Sequence, residues 1–317
     1  MGKPHGKQDV PVRYDRVTIR MGGPAHAYWQ QNTFRRTPLA IITAWFISGF
    51  FLLAQDCSAQ SGTPGANQNQ QRTAPSDEEL AKERQNPIAD LIQVPIESTF
   101  DFGAPAGNGF QYTLTIQPVI PVKINNDWNL ISRPIFSLVN APESTSGKGR
   151  TTGSGDLVTQ FYFSPQNPKP VIWGIGPVVG MPTGSDPLLG TGKWTMGPGV
   201  AIISQTEHWT FGVLVNHVWS FAGDRHRSDV SLTVIEPTVS YSWGKGWTVG
   251  VDDESTYDSN AAAGSRWVQP IQISLGKVTD FGRRPVSLSF GVTPYALAPT
   301  GSPTVGFSFT IAPLFPR

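Results

Sequence analysis

The sequence predicts an all-β protein, a transmembrane antiparallel up-and-down β-barrel of about twelve strands. A signal peptide, a disordered linker and a short helix precede the barrel. Three observations carry this prediction. From position 94 onward, runs of about ten residues alternate apolar and polar side chains. Short and long connections separate these runs in turn, and tryptophans stand near their ends. Charged residues are only 15% of the chain, against about 25% in soluble domains.

Residues 1–59 are predicted to be an N-terminal extension and signal peptide. The uncharged stretch 39–54 (LAIITAWFISGFFLLA) follows Arg35-Arg36 and precedes a small-residue cleavage site at Cys57-Ser58-Ala59. A transmembrane anchor is the alternative, but it takes about 20 apolar residues to span a bilayer and this stretch is shorter. Met21 is a second candidate for the true start. Cys57 is the one cysteine of the chain, which excludes a disulfide framework.

Residues 60–93 are predicted to form a flexible linker and a short periplasmic helix. The segment 60–75 is of low complexity (QSGTPGANQNQQRTAP). Ser76 then precedes three acidic residues, which is the pattern of a helix N-cap with a capping box. The helix should run from about 77 to 85 and end before Pro87. It could plug the barrel, lie at its periplasmic mouth or simply tether the linker, and the sequence leaves these three open.

The barrel itself is predicted over residues 94–317. In the run 304–315, the large side chains of Val305, Phe307 and Phe309 alternate with small or polar residues, a period of two that is typical of strands. Twelve such runs are predicted: 94–102, 111–123, 127–140, 155–164, 171–182, 194–205, 209–221, 230–243, 247–257, 266–278, 284–296 and 304–315. Twelve is an even number, as in bacterial single-chain barrels, and it places both termini in the periplasm.

Tryptophan positions give an independent indication of a membrane barrel. Eight tryptophans lie within about two residues of a predicted strand end, where an aromatic girdle meets the lipid headgroups. They are Trp128, Trp173, Trp194, Trp209, Trp219, Trp243, Trp247 and Trp267. The alternative is a soluble β-sandwich, in which tryptophans should concentrate at mid-strand in a bulky core. The second face of these strands is instead small and polar, which favours a wet interior.

Several ordered motifs resemble a bacterial outer-membrane family whose members carry the labels "neuromedin U", transporter or MetA-pathway of phenol degradation. The resemblance covers about residues 80–317. The motifs are NPIADLI at 86–92 with Val94-Pro95, IQPVIP at 116–121, DWNLI at 127–131, IWGIGP at 172–177, GTGKW at 190–194 and WSFAG at 219–223. The resemblance implies an outer-membrane channel or transporter, in some members linked to uptake of aromatic compounds, and it brings no catalytic residues. Phe315 lies two residues from the end, whereas many such barrels end in Phe.

No enzyme motif is present, so no catalytic site, cofactor or metal site is predicted. His217 and Ser220 are close in sequence, but alternation places them on opposite faces of a strand. Asp224, His226 and Asp229 share one loop, for which solvation is preferred over cation binding. The acidic run at 252–254 is expected to form a hydrated outer rim rather than an acidic entrance or a calcium site.

By alternation, Lys123, Arg133 and Glu236 should line the lumen, either as part of a permeation path or as an internal ion-pair lock. The sequence therefore predicts a channel or transporter in the bacterial outer membrane for small solutes, aromatic or hydrophobic ones among them. The alternatives are a closed structural or adhesive barrel and an outer-membrane lipid-modifying enzyme. Expected partners are outer-membrane lipids and lipopolysaccharide, the solute and the barrel-assembly machinery. A net charge of +1 gives no indication of nucleic-acid binding.

Overall fold

The structure is a computed structural model that describes residues 75–103, 110–142, 149–166, 171–282, 284–299 and 301–316. The predicted signal peptide and nearly all of the linker fall within residues 1–74, outside the described ranges. No helix among the described residues is long and apolar enough to cross a membrane.

The described chain begins with one short helix, α1 (Asp77–Arg84), as the capping pattern predicts. The Glu79 backbone N–H donates to the Ser76 hydroxyl, and the Ser76 backbone N–H donates to the Glu79 carboxylate. These reciprocal bonds satisfy backbone groups that would otherwise lack partners at a helix start. The bonds from Ser76 hold the pKa of Glu79 below its usual value. Gln85 caps the other end.

Sixteen strand segments follow α1. They are β1 (Ile92–Gln93), β2 (Ile96–Phe102), β3 (Gln111–Ile116), β4 (Ile120–Lys123), β5 (Trp128–Ala141), β6 (Thr151–Ser154), β7 (Leu157–Pro165), β8 (Val171–Met181), β9 (Lys193–Gln205), β10 (Trp209–Gly223), β11 (Ser231–Trp243), β12 (Trp247–Asp253), β13 (Ser255–Asp258), β14 (Trp267–Phe281), β15 (Arg284–Leu297) and β16 (Val305–Phe315). Four passes of the chain are interrupted (β1/β2, β3/β4, β6/β7 and β12/β13), so the segments make twelve passes.

The passes form one closed antiparallel barrel in which each pairs with its neighbours in sequence. Closure joins the last pass to the first: β16 pairs with β2 from Val305 opposite Phe102 to Ile311 opposite Ile96. The same strand then pairs with β1, Phe315 lying opposite Ile92. Closure removes the free sheet edges that would otherwise expose unpaired backbone groups to lipid. The predicted twelve-stranded barrel is confirmed.

Short and long connections alternate around the barrel as predicted. The short ones are 124–127, 166–170, 206–208, 244–246 and 282–283, and the long ones are 103–110, 142–150, 182–192, 224–230, 259–266 and 298–304. Because the passes are antiparallel, all short connections lie at one end, here termed the turn end. All long connections lie at the other, termed the loop end.

Side chains alternate between an apolar exterior and a small or polar interior. In β9, Met196 and Ile202 are 48% and 45% exposed on the outside, while Thr195 and Ala201 on the inside are 7% and 0% exposed. A soluble protein would bury the large side chains and expose the small polar ones. The reversed pattern places the large residues against lipid and the small ones around the lumen.

Glycine allows two strands to approach closely where β9 passes β10. A Cβ atom on Gly197 would lie 1.8 Å from the backbone oxygen of His217, closer than any side chain can come. At the turn end, Gly246 has φ of 78° in the connection between β11 and β12, a conformation that glycine adopts without strain.

Candidate functional site: the barrel lumen

The barrel encloses a central cavity of about 310 Å³. Its walls come from strands on all sides of the barrel, and its floor comes from Arg84, Gln85, Pro87, Gln93 and Pro95, on the segment that links α1 to the first strand. Thr and Ser hydroxyls line much of the wall. A polar, enclosed space of this kind can hold water and a small solute.

Carboxyl groups outnumber basic groups in the lining of the central cavity. Six residues with carboxyl groups line it, against two arginines, Arg84 and Arg133. The six are Glu97, Asp101, Glu236, Asp252, Asp253 and Glu254. Uneven lining of this kind attracts cations and repels anions, and narrow low-dielectric walls strengthen the effect.

Arg133 is the main positive group of the cavity wall. Its Nη1 donates to the Gln160 side-chain oxygen at 2.8 Å and lies 4.0 Å from the Glu236 carboxylate. Only 8% of Arg133 is exposed, and its buried Nε has no hydrogen-bond partner among the described residues. Arg133 also attracts Glu254, and Arg84 attracts Glu97 and Asp252. Two arginines thus face six carboxyl groups.

The remaining carboxylates differ in how they are held. Glu97 accepts a hydrogen bond from the Gln272 amide at 3.2 Å, and Asp101 accepts one from the Tyr295 hydroxyl at 3.0 Å. Asp252 accepts one from the Thr238 hydroxyl. Asp253 is held by Ser255 and Gln269.

Glu254 differs from these four. Its carboxylate makes no hydrogen bond and no salt bridge to any residue of the described ranges. It stands between β12 and β13, and the register of β11 against these segments places it opposite Glu236.

A second, smaller cavity of about 80 Å³ lies toward the loop end and is termed the outer chamber. It shares Glu236 and Glu254 with the central cavity, so the two adjoin at these side chains. Seven of its sixteen lining residues are aliphatic: Ile135, Val158, Val178, Val218, Val230, Leu232 and Val234. Aliphatic side chains facing a lumen are unusual where the wall must support water. The chamber therefore suits an apolar group better than an ion.

One ion pair and a set of hydrogen bonds between loops lie at the loop end of the barrel. Lys193 donates to the Asp229 carboxylate at 3.0 Å. This bond and the lysine charge lower the pKa of Asp229 below its usual value. The Arg227 guanidinium donates to backbone oxygens of three residues in the connection 182–192: Pro187 at 2.8 Å, Thr191 at 3.2 Å and Gly190. These bonds hold the connection 224–230 against the connection 182–192.

The segment from α1 to β1 closes the turn end from inside. Leu80 and Ala81 of α1, with Ala89 and Leu91, form one apolar cluster with inward residues of β14 and β16. Ile88 joins a second cluster, made of inward residues from β5, β7, β9 and β10 together with Val119. Of the three roles left open for the helix, these contacts favour a plug.

Polar contacts fasten the same helix to the turn between β9 and β10. Lys82 donates to the Thr206 backbone oxygen at 3.2 Å, and Gln205 donates to the Lys82 oxygen at 2.9 Å. Glu78 lies 3.2 Å from the His208 ring. Beside the helix is a gap of about 10 Å³ walled by small residues of β12, β14 and β15. It shares Arg84, Gln85, Ser274 and Ser289 with the central cavity, so the two adjoin at these side chains.

The structure places two of the three predicted lumen residues in the cavity wall, Arg133 and Glu236. Lys123 stands elsewhere. It ends β4 opposite Asn129 at the turn end, is exposed, and lines none of the three cavities. Alternation gives the side to which a residue points but not its height along the barrel, and Lys123 lies too near the turn end to face the cavity.

The expectation of a hydrated outer rim at 252–254 is wrong. The strand continues through β13 to Asp258, so the three acidic residues lie within the barrel wall and line the central cavity. A run of acidic residues in a membrane strand is tolerated there because the lumen, not lipid, receives the charge. The sequence does carry a signal for this placement. Asp252 and Glu254 are two residues apart, so on one strand both side chains point to the same side.

Two other candidates from the sequence, the pair His217 and Ser220 and the loop 224–230, do not form a catalytic or a metal-binding site. The His217 ring bonds to Thr233 at 2.8 Å and packs against Trp219, while Ser220 donates to Asp229, so the pair does not meet. In the loop 224–230, Asp224 accepts from His226, which lowers the pKa of that carboxyl. The described residues contain no group of His, Cys, Asp and Glu suited to hold a metal ion.

The eight tryptophans fall into two sets at the barrel ends. Five stand toward the turn end and three toward the loop end: Trp128, Trp173, Trp209, Trp243 and Trp247, and Trp194, Trp219 and Trp267. Seven of them are exposed, and Trp243 is half-buried. Between the two sets the exterior carries exposed Val, Ile, Leu, Met and Phe side chains. So large an apolar surface is typical of a barrel in lipid rather than in water.

A family model agrees with this architecture. The model, described as "Putative MetA-pathway of phenol degradation", matches residues 97–293, more than half of the chain and nearly the whole barrel from β2 to β15. The chain belongs to this family. This confirms the resemblance seen in the sequence motifs, although nothing in the comparisons supports the label "neuromedin U".

The barrel of this chain is also similar to solved structures of outer-membrane proteins. The crystal structure of the COG4313 outer membrane channel from Pseudomonas putida F1 matches with a TM-score of 0.55 at 13% identity, covering 79% of this chain and 100% of that chain. At this identity the likeness shows the fold alone, that of an outer-membrane barrel. The NanC porin matches at a TM-score of 0.44 and 12% identity, over 71% of this chain and 100% of that chain. No curated protein matches the chain significantly.

Proposed function

We propose that the protein is an outer-membrane channel that carries small solutes through its lumen, from the loop end outside the cell to the turn end in the periplasm. One observation carries the proposal: three cavities adjoin along the lumen and share lining residues. The outer chamber meets the central cavity at Glu236 and Glu254, and the central cavity meets the gap beside α1 at Arg84 and Ser289.

The family and the fold agree with transport. The matching solved structure is that of an outer membrane channel, and the family description refers to phenol degradation, a process that begins with an aromatic solute. Small aromatic or hydrophobic solutes are therefore the first class to test. The proposed setting includes outer-membrane lipid with lipopolysaccharide in the outer leaflet, and insertion by the barrel-assembly machinery. We propose no enzymatic role. His217 bonds to the hydroxyls of Thr233 and Ser231, but its ring packs against the exposed Trp219 on the outer face of the barrel, away from the lumen.

Recording of single channels tests the proposal directly. The protein, purified from membranes and inserted into planar lipid bilayers, should give small discrete current steps. The Leu80→Asp variant should give larger ones, because a carboxylate cannot stay in the apolar cluster that seats α1. Glu83→Ala, an exposed change on the same helix, is the matched control and should behave as the native chain.

A closed structural barrel is the second candidate, favoured by the seating of α1 and residues 85–93 in the turn end. It predicts no current from either the native chain or the Leu80→Asp variant. The folded state of both is verified by the faster migration of intact barrels in unheated detergent gels. Absence of current from both folded proteins would contradict the channel proposal.

A further inference from the structure

We propose that the lumen selects small organic cations with an apolar body, such as an arylalkyl or alkyl ammonium ion, and holds them across the junction of its two main cavities. The inference rests on the proposed channel function, for which it names a solute class. Two unlike surfaces meet at this junction, an aliphatic wall on the loop side and an acidic wall on the turn side.

The aliphatic side supplies the site for the apolar body. Val158, Val178 and Val218 come from three different strands, belong to one packed apolar cluster and line the outer chamber. Burial of apolar surface there is favourable by about 25 cal/mol per Å². A lumen built only to pass hydrated ions would carry hydroxyl or charged groups at these positions, as the central cavity does.

The acidic side supplies the site for the positive charge. Glu254 stands at the junction with no hydrogen bond or salt bridge within the described ranges. Arg133 approaches Glu236 at 4.0 Å and also attracts Glu254, so one arginine is shared between two facing carboxyl groups. An ammonium group with its apolar substituent in the outer chamber would sit beside Glu254 and compensate it.

The alternative ligands fit less well. An anion of the same shape would meet the carboxylates of Glu236 and Glu254. Lys193 also lines the outer chamber, but its ammonium group already pairs with the Asp229 carboxylate at 3.0 Å. A metal ion would need several converging ligands, and the described residues offer no such group. A neutral aromatic molecule would use the aliphatic wall but would leave Glu254 uncompensated. The outer chamber of about 80 Å³, which would hold the apolar body, limits that body to roughly one ring.

Calorimetric titration of the purified protein in detergent tests the proposal with four matched probes. These are benzylammonium, methylammonium without the ring, benzyl alcohol without the charge, and benzoate with the opposite charge. Benzylammonium should bind with one-to-one stoichiometry, at least about tenfold more tightly than the other three, since each lost contribution is of the order of 1.4 kcal/mol.

Two variants assign the binding to the junction. Glu254→Gln should weaken benzylammonium binding about tenfold, and Val218→Thr should weaken it about threefold, since it places a hydroxyl in the aliphatic wall. Glu207→Gln removes a carboxylate that is 89% exposed in a short turn and should leave the affinity unchanged. Gel migration confirms that each variant is folded.

The outcomes separate this inference from the channel proposal. Equal affinities for benzylammonium and benzyl alcohol, tighter binding of benzoate, or an unchanged affinity in folded Glu254→Gln would overturn the inference. A barrel that conducts ions yet binds no benzylammonium overturns the inference and leaves the channel. A barrel that binds benzylammonium through Glu254 but never conducts overturns the channel and leaves the binding site.

Discussion

At the scale of single residues, Arg133 sets the balance of charge in the lumen. It is the cation within 4.0 Å of Glu236, and the cavity wall otherwise holds only Arg84 against its carboxylates. Replacement of Arg133 by Gln should make the channel more selective for cations. One charge at such a distance in water is worth about 1 kcal/mol, so we expect the ratio of cation to anion permeability to rise about fivefold.

The reversal potential across a salt gradient measures this ratio. Arg133→Lys is the control, because it keeps the charge while losing the guanidinium geometry. If Arg133→Gln leaves the reversal potential unchanged in a conducting barrel, the arginine does not face the permeation path.

Gly197 supports the barrel wall through its lack of a side chain. A Cβ there would lie 1.8 Å from the His217 backbone oxygen, so Gly197→Ala must push β9 and β10 apart. We expect a loss of about 1–3 kcal/mol, seen as a lower midpoint for unfolding of the barrel in urea. In Gly276→Ala the nearest atom would be the Ser289 Cβ at 3.3 Å, so the midpoint should move much less. Equal shifts in both variants would show that the close approach has no special cost.

At the scale of elements, α1 is held by contacts that the barrel does not need for its own closure. Leu80 is 3% exposed within the cluster formed by α1, β14 and β16. Leu80→Ala should cost about 2–5 kcal/mol of docking free energy. Hydrogen exchange of residues 77–91 should accelerate accordingly, while the strands exchange as before. Glu83→Ala serves as the control. Faster exchange throughout the barrel would mean that the helix and the barrel form one cooperative unit.

The fastening of the outer loops depends on one side chain. Arg227 donates to three backbone oxygens of the connection 182–192, and hydrogen bonds to a charged group contribute about 1.5–3 kcal/mol each. Arg227→Ala should therefore speed amide exchange in 184–192 by at least about tenfold. Arg225→Ala, an exposed change in the same loop, should not. Similar exchange in the two variants would contradict the fastening role of Arg227.

The elements were more predictable from the sequence than the site was. A period of two, with the alternation of short and long connections, is a local pattern, and it gave all twelve passes within a few residues. The site depends on how high each residue stands along the barrel and on what lies inside. Lys123 and the run 252–254 were misplaced for the first reason. The aliphatic wall of the outer chamber was missed because Val158 and Val218 resemble ordinary strand residues in the sequence. It is the pairing of β7 to β10 that places both on the wall of one chamber.

At the scale of the whole molecule, a single layer of strands separates two environments, the lipid outside and the lumen inside. The strands present large apolar side chains outward and mostly small or polar ones inward, apart from the aliphatic wall of the outer chamber and the clusters that seat residues 80–91. Each strand therefore contributes both to stability in lipid and to the chemistry of the lumen. An inward substitution such as one at Glu254 can change selectivity without disturbing the lipid-facing surface. Outward substitutions should act mainly on insertion and stability.

Tryptophan fluorescence tests whether the outer surface of the whole molecule faces lipid. Seven of the eight barrel tryptophans are exposed on the outer surface near the strand ends, and Trp209, Trp219 and Trp267 are the most exposed of them. In vesicles made with brominated lipids, their emission should be strongly quenched. Bromine near the headgroup should quench more than bromine deep in the chain, because indole rings at a girdle lie at the interface. Aqueous iodide should quench weakly. Strong iodide quenching with little effect of bromine at any depth would place these rings in water and contradict the membrane-spanning arrangement itself.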